Sequence, residues 1–208
     1  VSLPPLATVA DLNTHLQTTL PTDQAELAIR RASARVRNYT RQILTLVADD
    51  TADVEGGDRI LRVPQRPLIV DDDHPLTVVE LGDFGAIDLT LTEDVDYTRL
   101  GNELTRGHPS HWGTRTMGWP YSRVRGVWAP RVRLTYSHGY AEIPDDIVDV
   151  VLDLASVNVT NVKGLRSEAI DDYQVTYATE TVGNARLTKD HKAELRGYRG
   201  GLTSLRLS

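Results

Sequence analysis

Arg131-Val-Arg-Leu-Thr-Tyr-Ser-His-Gly-Tyr140, followed two residues later by Ile143-Pro-Asp-Asp146, holds the switch from strand to helix that decides the fold. Val132, Leu134 and Tyr136 alternate with Arg131, Arg133 and Thr135, the period of a half-buried strand. Ser137-His-Gly139 then turns the chain. Pro144 presets the first helical position, and Asp145 and Asp146 face the positive end of the helix dipole. The helix is predicted to reach about Asn161, with Ile147, Val151, Leu154 and Ala155 in an apolar stripe broad enough to need cover on more than one side. Gly164 is read as its stop. Tyr173, Val175 and Tyr177 alternate with Gln174 and Thr176, which predicts a second strand.

Working outward, Thr8 with Asp11 three residues on predicts a capped short helix that ends near Pro21. Thr22 is read as the cap of a longer one, in which Ala25, Ala28, Ile29, Ala32, Val36 and Tyr39 follow helical spacing. Arg30, Arg31, Arg35, Arg37 and Arg41 fill its other positions, with too few acids at i+4 to pair them. They read either as a solvated face or as an arginine-lined contact with an acidic partner surface, such as a neighbouring subunit. The acidic run 48–58, ending in Gly56-Gly57, reads as a boundary loop. Between it and Tyr136 lie short apolar runs at 59–63, 67–70, 76–81 and 87–91, and a hairpin candidate, 97–106, turning on Gly101-Asn102. Residues 107–130 are irregular and hold Trp112, Trp119 and Trp128, read either as aromatics tucked into the β-region or, the favoured reading, as contacts of the β-region with a partner, since tryptophan is a common interface anchor. Thr188 caps a last basic helix.

Together these predict an α+β fold: a mainly helical core of about four helices (1–57 and 138–208) with an inserted antiparallel β-domain (58–137). The chain of 208 residues has a net charge of −6, with acidic blocks at 43–100 and 141–185 and basic ones at 21–42, 101–140 and 186–208. Such alternation suits a part that meets copies of itself and other proteins. No cationic groove for tight nucleic-acid binding is evident. Zero cysteines exclude disulfides and thiolate chemistry. No apolar run approaches the roughly 20 residues that cross a bilayer, so no membrane partner is expected. Val1-Ser-Leu-Pro-Pro has no secretory n-region or h-region, so synthesis in the cytoplasm is expected. His108 and His111 flank a proline in an irregular stretch, and Asp71-Asp-Asp-His74 precedes another proline, so neither is read as a metal site. No catalytic or cofactor motif occurs, so neither an enzyme nor a cofactor is expected.

The order strand, T-Y-S-H-G-Y, I-P-D-D helix, R-S-E-A-I-D-D-Y-Q-V-T-Y, short C-terminal helix resembles the head-to-tail adaptor (connector) proteins of long-tailed double-stranded DNA bacteriophages. The likeness covers roughly two thirds of the chain and leaves out the β-rich middle. It implies a structural virion protein of the neck, forming a homo-oligomeric ring, dodecameric to match the portal. Portal protein would lie on one face, a tail-side stopper or tail terminator protein on the other, and DNA would pass transiently through the lumen. Arg186, Lys189, Lys192, Arg196, Arg199 and Leu205 are then candidates for docking the portal. A β-rich carbohydrate- or protein-binding module on a helical base is the alternative.

Overall fold

The computed structural model describes residues 3–82, 87–107, 126–160, 167–170, 173–176 and 186–200, with 160, 167–170 and 173–176 described through their backbone. It divides into two compact units, one comprising the chain up to Thr45 with Tyr140–Arg199, the other Leu46–Gly139. Helix and strand take about equal shares of the described residues, so the expectation of a mainly helical protein is corrected. The reason is local. The run read as an acidic boundary loop is the longest strand, β1 (Val47–Glu55), and it belongs to the β-unit.

The helical unit contains α1 (Val9–Leu16), α2 (Thr22–Thr40), α3 (Asp145–Thr160) and α4 (Lys189–Glu194), with a 3-10 turn at Leu195–Tyr198. The Thr8 hydroxyl accepts from Asp11 N at 3.2 Å, and the Asp11 carboxylate accepts from Thr8 N at 3.0 Å, closing a reciprocal cap on α1. Thr22 is not a cap: α2 starts at Thr22, with Pro21 before it and no side-chain cap bond. Ala25, Ala28 and Ala32 of α2 let its backbone approach α3, where Ile147, Val151 and Leu154 meet Ile29 and Val36 in one buried core. A short antiparallel ribbon pairs β9 (Ser167–Ile170) with β10 (Tyr173–Thr176).

The β-unit holds two antiparallel sheets. One runs β1, β8 (Arg131–His138), β4 (Thr77–Glu80), β5 (Leu89–Leu91), with β3 (Leu68–Ile69) also on β8. The other runs β2 (Ile60–Arg62), β7 (Glu103–Arg106), β6 (Tyr97–Leu100). β6 and β7 form the hairpin read from the sequence, its turn made by Gly101 at φ +57°. Val54, Val78, Val132 and Leu134 from the larger sheet and Leu61, Tyr97 and Leu104 from the smaller share one core with Trp128. At the end of β1 a Cβ on Gly56 would lie 1.8 Å from the Ala129 carbonyl oxygen, so only glycine lets the two backbones pass.

Candidate functional site

The arginines of α2 do not act alike. Arg30, Arg31 and Arg41 are exposed and Arg35 is half-buried. Arg37 turns inward: its Nε donates to the Ile43 carbonyl at 2.7 Å and its Nη2 to the Pro4 carbonyl at 2.6 Å. It therefore ties the lead-in and the exit of α2 to the helix and is not offered to a partner. Burial lowers its pKa from the ordinary value, yet an arginine stays charged at any working pH.

The C-terminal helix presents a cationic row. Thr188 caps α4 by accepting from His191 N at 3.2 Å. Lys189, Lys192 and Arg196 then recur at a spacing of three and four, all exposed, and Arg186 is exposed just before them. Contacts from α2 and α3 fix this segment. Tyr39 Oη donates to the Lys192 carbonyl at 3.0 Å, Tyr198 Oη donates to the Asp146 carboxylate at 2.7 Å, and the Arg199 guanidinium lies 5.6 Å over the Tyr39 ring. Burial, with the Asp146 carboxylate beside it, pushes the Tyr198 phenol up to about 12. Leu205 lies outside the described residues.

A cleft of about 800 Å³ opens between the lead-in with α1, α2 and the start of α3. Leu3, Val9, Ile29, Ile143 and Val148 give it an apolar floor, and Glu26, Glu142 and Asp145 stand exposed on its rim. The sequence reading missed this site. Its acids lie more than a hundred residues apart, Asp145 had a sufficient role in the first turn of α3, and only the α2–α3 packing brings them together.

The remaining candidates have structural roles or fall outside the description. Trp128 is 1% exposed, the centre of the β-core, and offers no surface to a partner. Trp112, Trp119, His108 and His111 lie outside the described residues. The Asp71 carboxylate accepts from Asp73 N, His74 N and the His74 imidazole, so this run is a closed turn. The His74 side chain, which donates to it, holds the Asp71 carboxyl below its ordinary range. Among the described residues no three His, Asp or Glu side chains are grouped to hold a metal, and no helix is long and apolar enough to cross a membrane. What the exposed arrays can do chemically is pair with surfaces of opposite charge.

Fold and site together define an α+β protein in which a helical unit with a cationic C-terminal helix carries an antiparallel β-unit within its chain. No family model matches the sequence, and no curated protein matches it either.

Proposed function

We propose that this chain is a structural virion protein, a head-to-tail adaptor whose copies form a ring under the portal of a long-tailed DNA phage. The observation that carries the reading is the ordered run from β8, which extends through Ser137 and His138 to a bend at Gly139, by way of the Pro144-Asp145-Asp146 helix start and the β9–β10 ribbon, to a basic C-terminal helix. The ring would join capsid to tail, with a tail-side stopper or terminator below it and packaged DNA crossing its lumen. Exposed cations along the C-terminal segment and exposed carboxylates at the cleft suit a part whose work is contact with other proteins. A mixed-charge wall also suits DNA that must slide, because strong phosphate binding would hold it.

In this reading the C-terminal end of the chain docks on the portal. Mass photometry and negative-stain imaging of the full chain, alone and with purified portal, test it, alongside a chain truncated after Gly200. Rings on the portal that the truncation abolishes are expected. A full-length chain that stays monomeric and ignores portal would sink the adaptor reading, and a truncated chain that binds as well as the full one would sink the docking assignment.

A further inference from the structure

The helical unit carries two charged surfaces of opposite sign. At the cleft, the side-chain carboxylates of Glu26, Glu142 and Asp145 make no hydrogen bond or ion pair among the described residues. Asp11, Glu26, Glu142 and Asp145 line the cleft against the guanidinium groups of Arg30 and Arg37, four negative charges against two positive ones, so the cleft is net negative. The second surface is the row Lys189, Lys192 and Arg196, whose ammonium and guanidinium groups are likewise unpaired among the described residues.

The two surfaces face away from each other. Arg37 lines the cleft, and Tyr39, two residues on, is the side chain that α4 rests against. At about 100° per residue these two project roughly 160° apart around α2. On α3, Asp145 and Val148 face the cleft, whereas Asp146 and Asp153 hold Tyr198 and His191 of the C-terminal segment. Surfaces so placed cannot meet within one chain. Between copies they can, and such a contact repeats head to tail until it closes into a ring or extends as a filament.

We infer that the cleft receives the Lys189–Lys192–Arg196 row of a second copy of this chain. The inference deepens the ring reading and rests on it: the row belongs to the neighbouring copy, and the portal is left to the chain beyond Gly200. Long lysine and arginine stems cover the apolar floor while their heads reach the carboxylates. Because exposed charges drive the contact, it weakens as salt rises.

Two double variants of the full chain test this, Glu26→Arg with Glu142→Arg and Lys189→Glu with Lys192→Glu, each followed by mass photometry alone and with portal. Wild type is expected to assemble and to fall apart with added salt. Each variant alone stays monomeric while keeping its wild-type thermal melt. An equimolar mixture assembles again, because each reversed surface meets its reversed counterpart and the other contact is native. Carbodiimide cross-linking of mixed light- and heavy-isotope chains gives a second readout, and only three lysines in the sequence keep its products assignable. Inter-copy amide bonds from Glu26, Glu142 or Asp145 to Lys189 or Lys192 are expected. Variants that assemble alone as wild type does, a mixture that stays monomeric, or cross-links to other carboxylates only, overturn the contact and leave the ring and its portal binding standing. A wild type that forms no oligomer, alone or on portal, removes the contact and the ring reading together.

Discussion

Arg106 is the side chain on which the β-unit turns. Its Nε and Nη2 donate to the Glu80 carboxylate at 3.1 and 3.3 Å, its Nη1 donates to the Asp96 carbonyl at 2.5 Å, and its guanidinium lies 5.9 Å from the centre of the Trp128 ring. Glu80 also accepts from Ala129 N at 3.1 Å. Both side chains of the pair are nearly buried, 13% and 12% exposed, so loss of one partner leaves the other as an uncompensated charge. Arg106→Met is expected to cost about 3–5 kcal/mol, and a double change with Glu80→Met clearly less; urea unfolding of the three variants measures it, and equal losses in single and double would refute the pairing. His138 poses the opposite case. It is fully buried, its Nε2 3.1 Å from the Asp50 carboxylate, its ring 5.3 Å from that of Tyr136, and its Nδ1 without a partner among the described residues. Nε2 therefore carries the proton toward Asp50, and a second proton on Nδ1 would be an unpaired donor in the core. Burial pushes the imidazole below its ordinary range, with Asp50 pulling less strongly the other way. Below about pH 6.5 the unfolded chain takes up a proton that the folded one refuses, so stability falls as pH falls from there through the folded pKa. Urea unfolding at a series of pH values should show a shallower acid loss for His138→Gln than for wild type; parallel curves would contradict this.

At the scale of elements, α1 depends on its cap, because eight residues make a helix too short to stand on propensity alone. Thr8→Ala should destabilise the helical unit by about 1 kcal/mol, and Thr8→Ser by much less. Thermal melts followed by circular dichroism separate the two; equal melts for both variants would mean that the cap does not matter. Thr8 and Asp11 were legible in the sequence for the reason that makes them work: the capping box is local, closed within four residues. So were the 97–106 hairpin, whose turn needs a glycine, and α3, whose start is written in Pro144, Asp145 and Asp146. β1 was not legible. Its solvent side shows Thr51, Asp53 and Glu55, and its core side has little beyond Ala52 and Val54, so alternation was hidden by acids. Those acids have a role that appears only in pairing. β1 is an edge strand, where charge discourages further pairing. Opposite Arg133 on β8, Asp53 accepts two bonds, at 2.7 and 2.9 Å. The Arg133 guanidinium holds its carboxyl below the usual carboxylate range. Trp128 follows the less favoured of its two readings for a related reason: a tryptophan in an irregular, glycine-rich stretch looks like a surface anchor, and only its distant partners Tyr97 and Leu104 reveal a core residue.

For the whole molecule, the decisive feature is where the chain leaves the helical unit and where it comes back. Tyr140 N donates to the Leu44 carbonyl at 2.8 Å, and Thr45 and Tyr140 form a bridge, so exit and return lie side by side. Everything between them, Leu46–Gly139, has its own core, its own two sheets and its own buried ion pair. The helical unit in turn has a core drawn from α1, α2, α3 and Leu195 that needs no strand of the other. An insertion built in this way can be removed, because adjacent ends are closed at small entropic cost by a short linker. Replacing 46–139 with a linker of about four glycine and serine residues, the length of an ordinary short connection, should leave a helical protein that unfolds cooperatively in urea. The same chain should retain the edge-on contact of Tyr140 with Tyr198, centroids 6.0 Å apart, and with it the α4 cations in place. Far-UV circular dichroism gives the first result, and the ring-current shifts of the two tyrosines in an NMR spectrum give the second. A non-cooperative melt or collapsed tyrosine shifts would mean that the β-unit helps to fold the helical one. With both results as expected, self-association of the shortened chain would locate that activity in the helical unit, where the cleft and the cationic row lie.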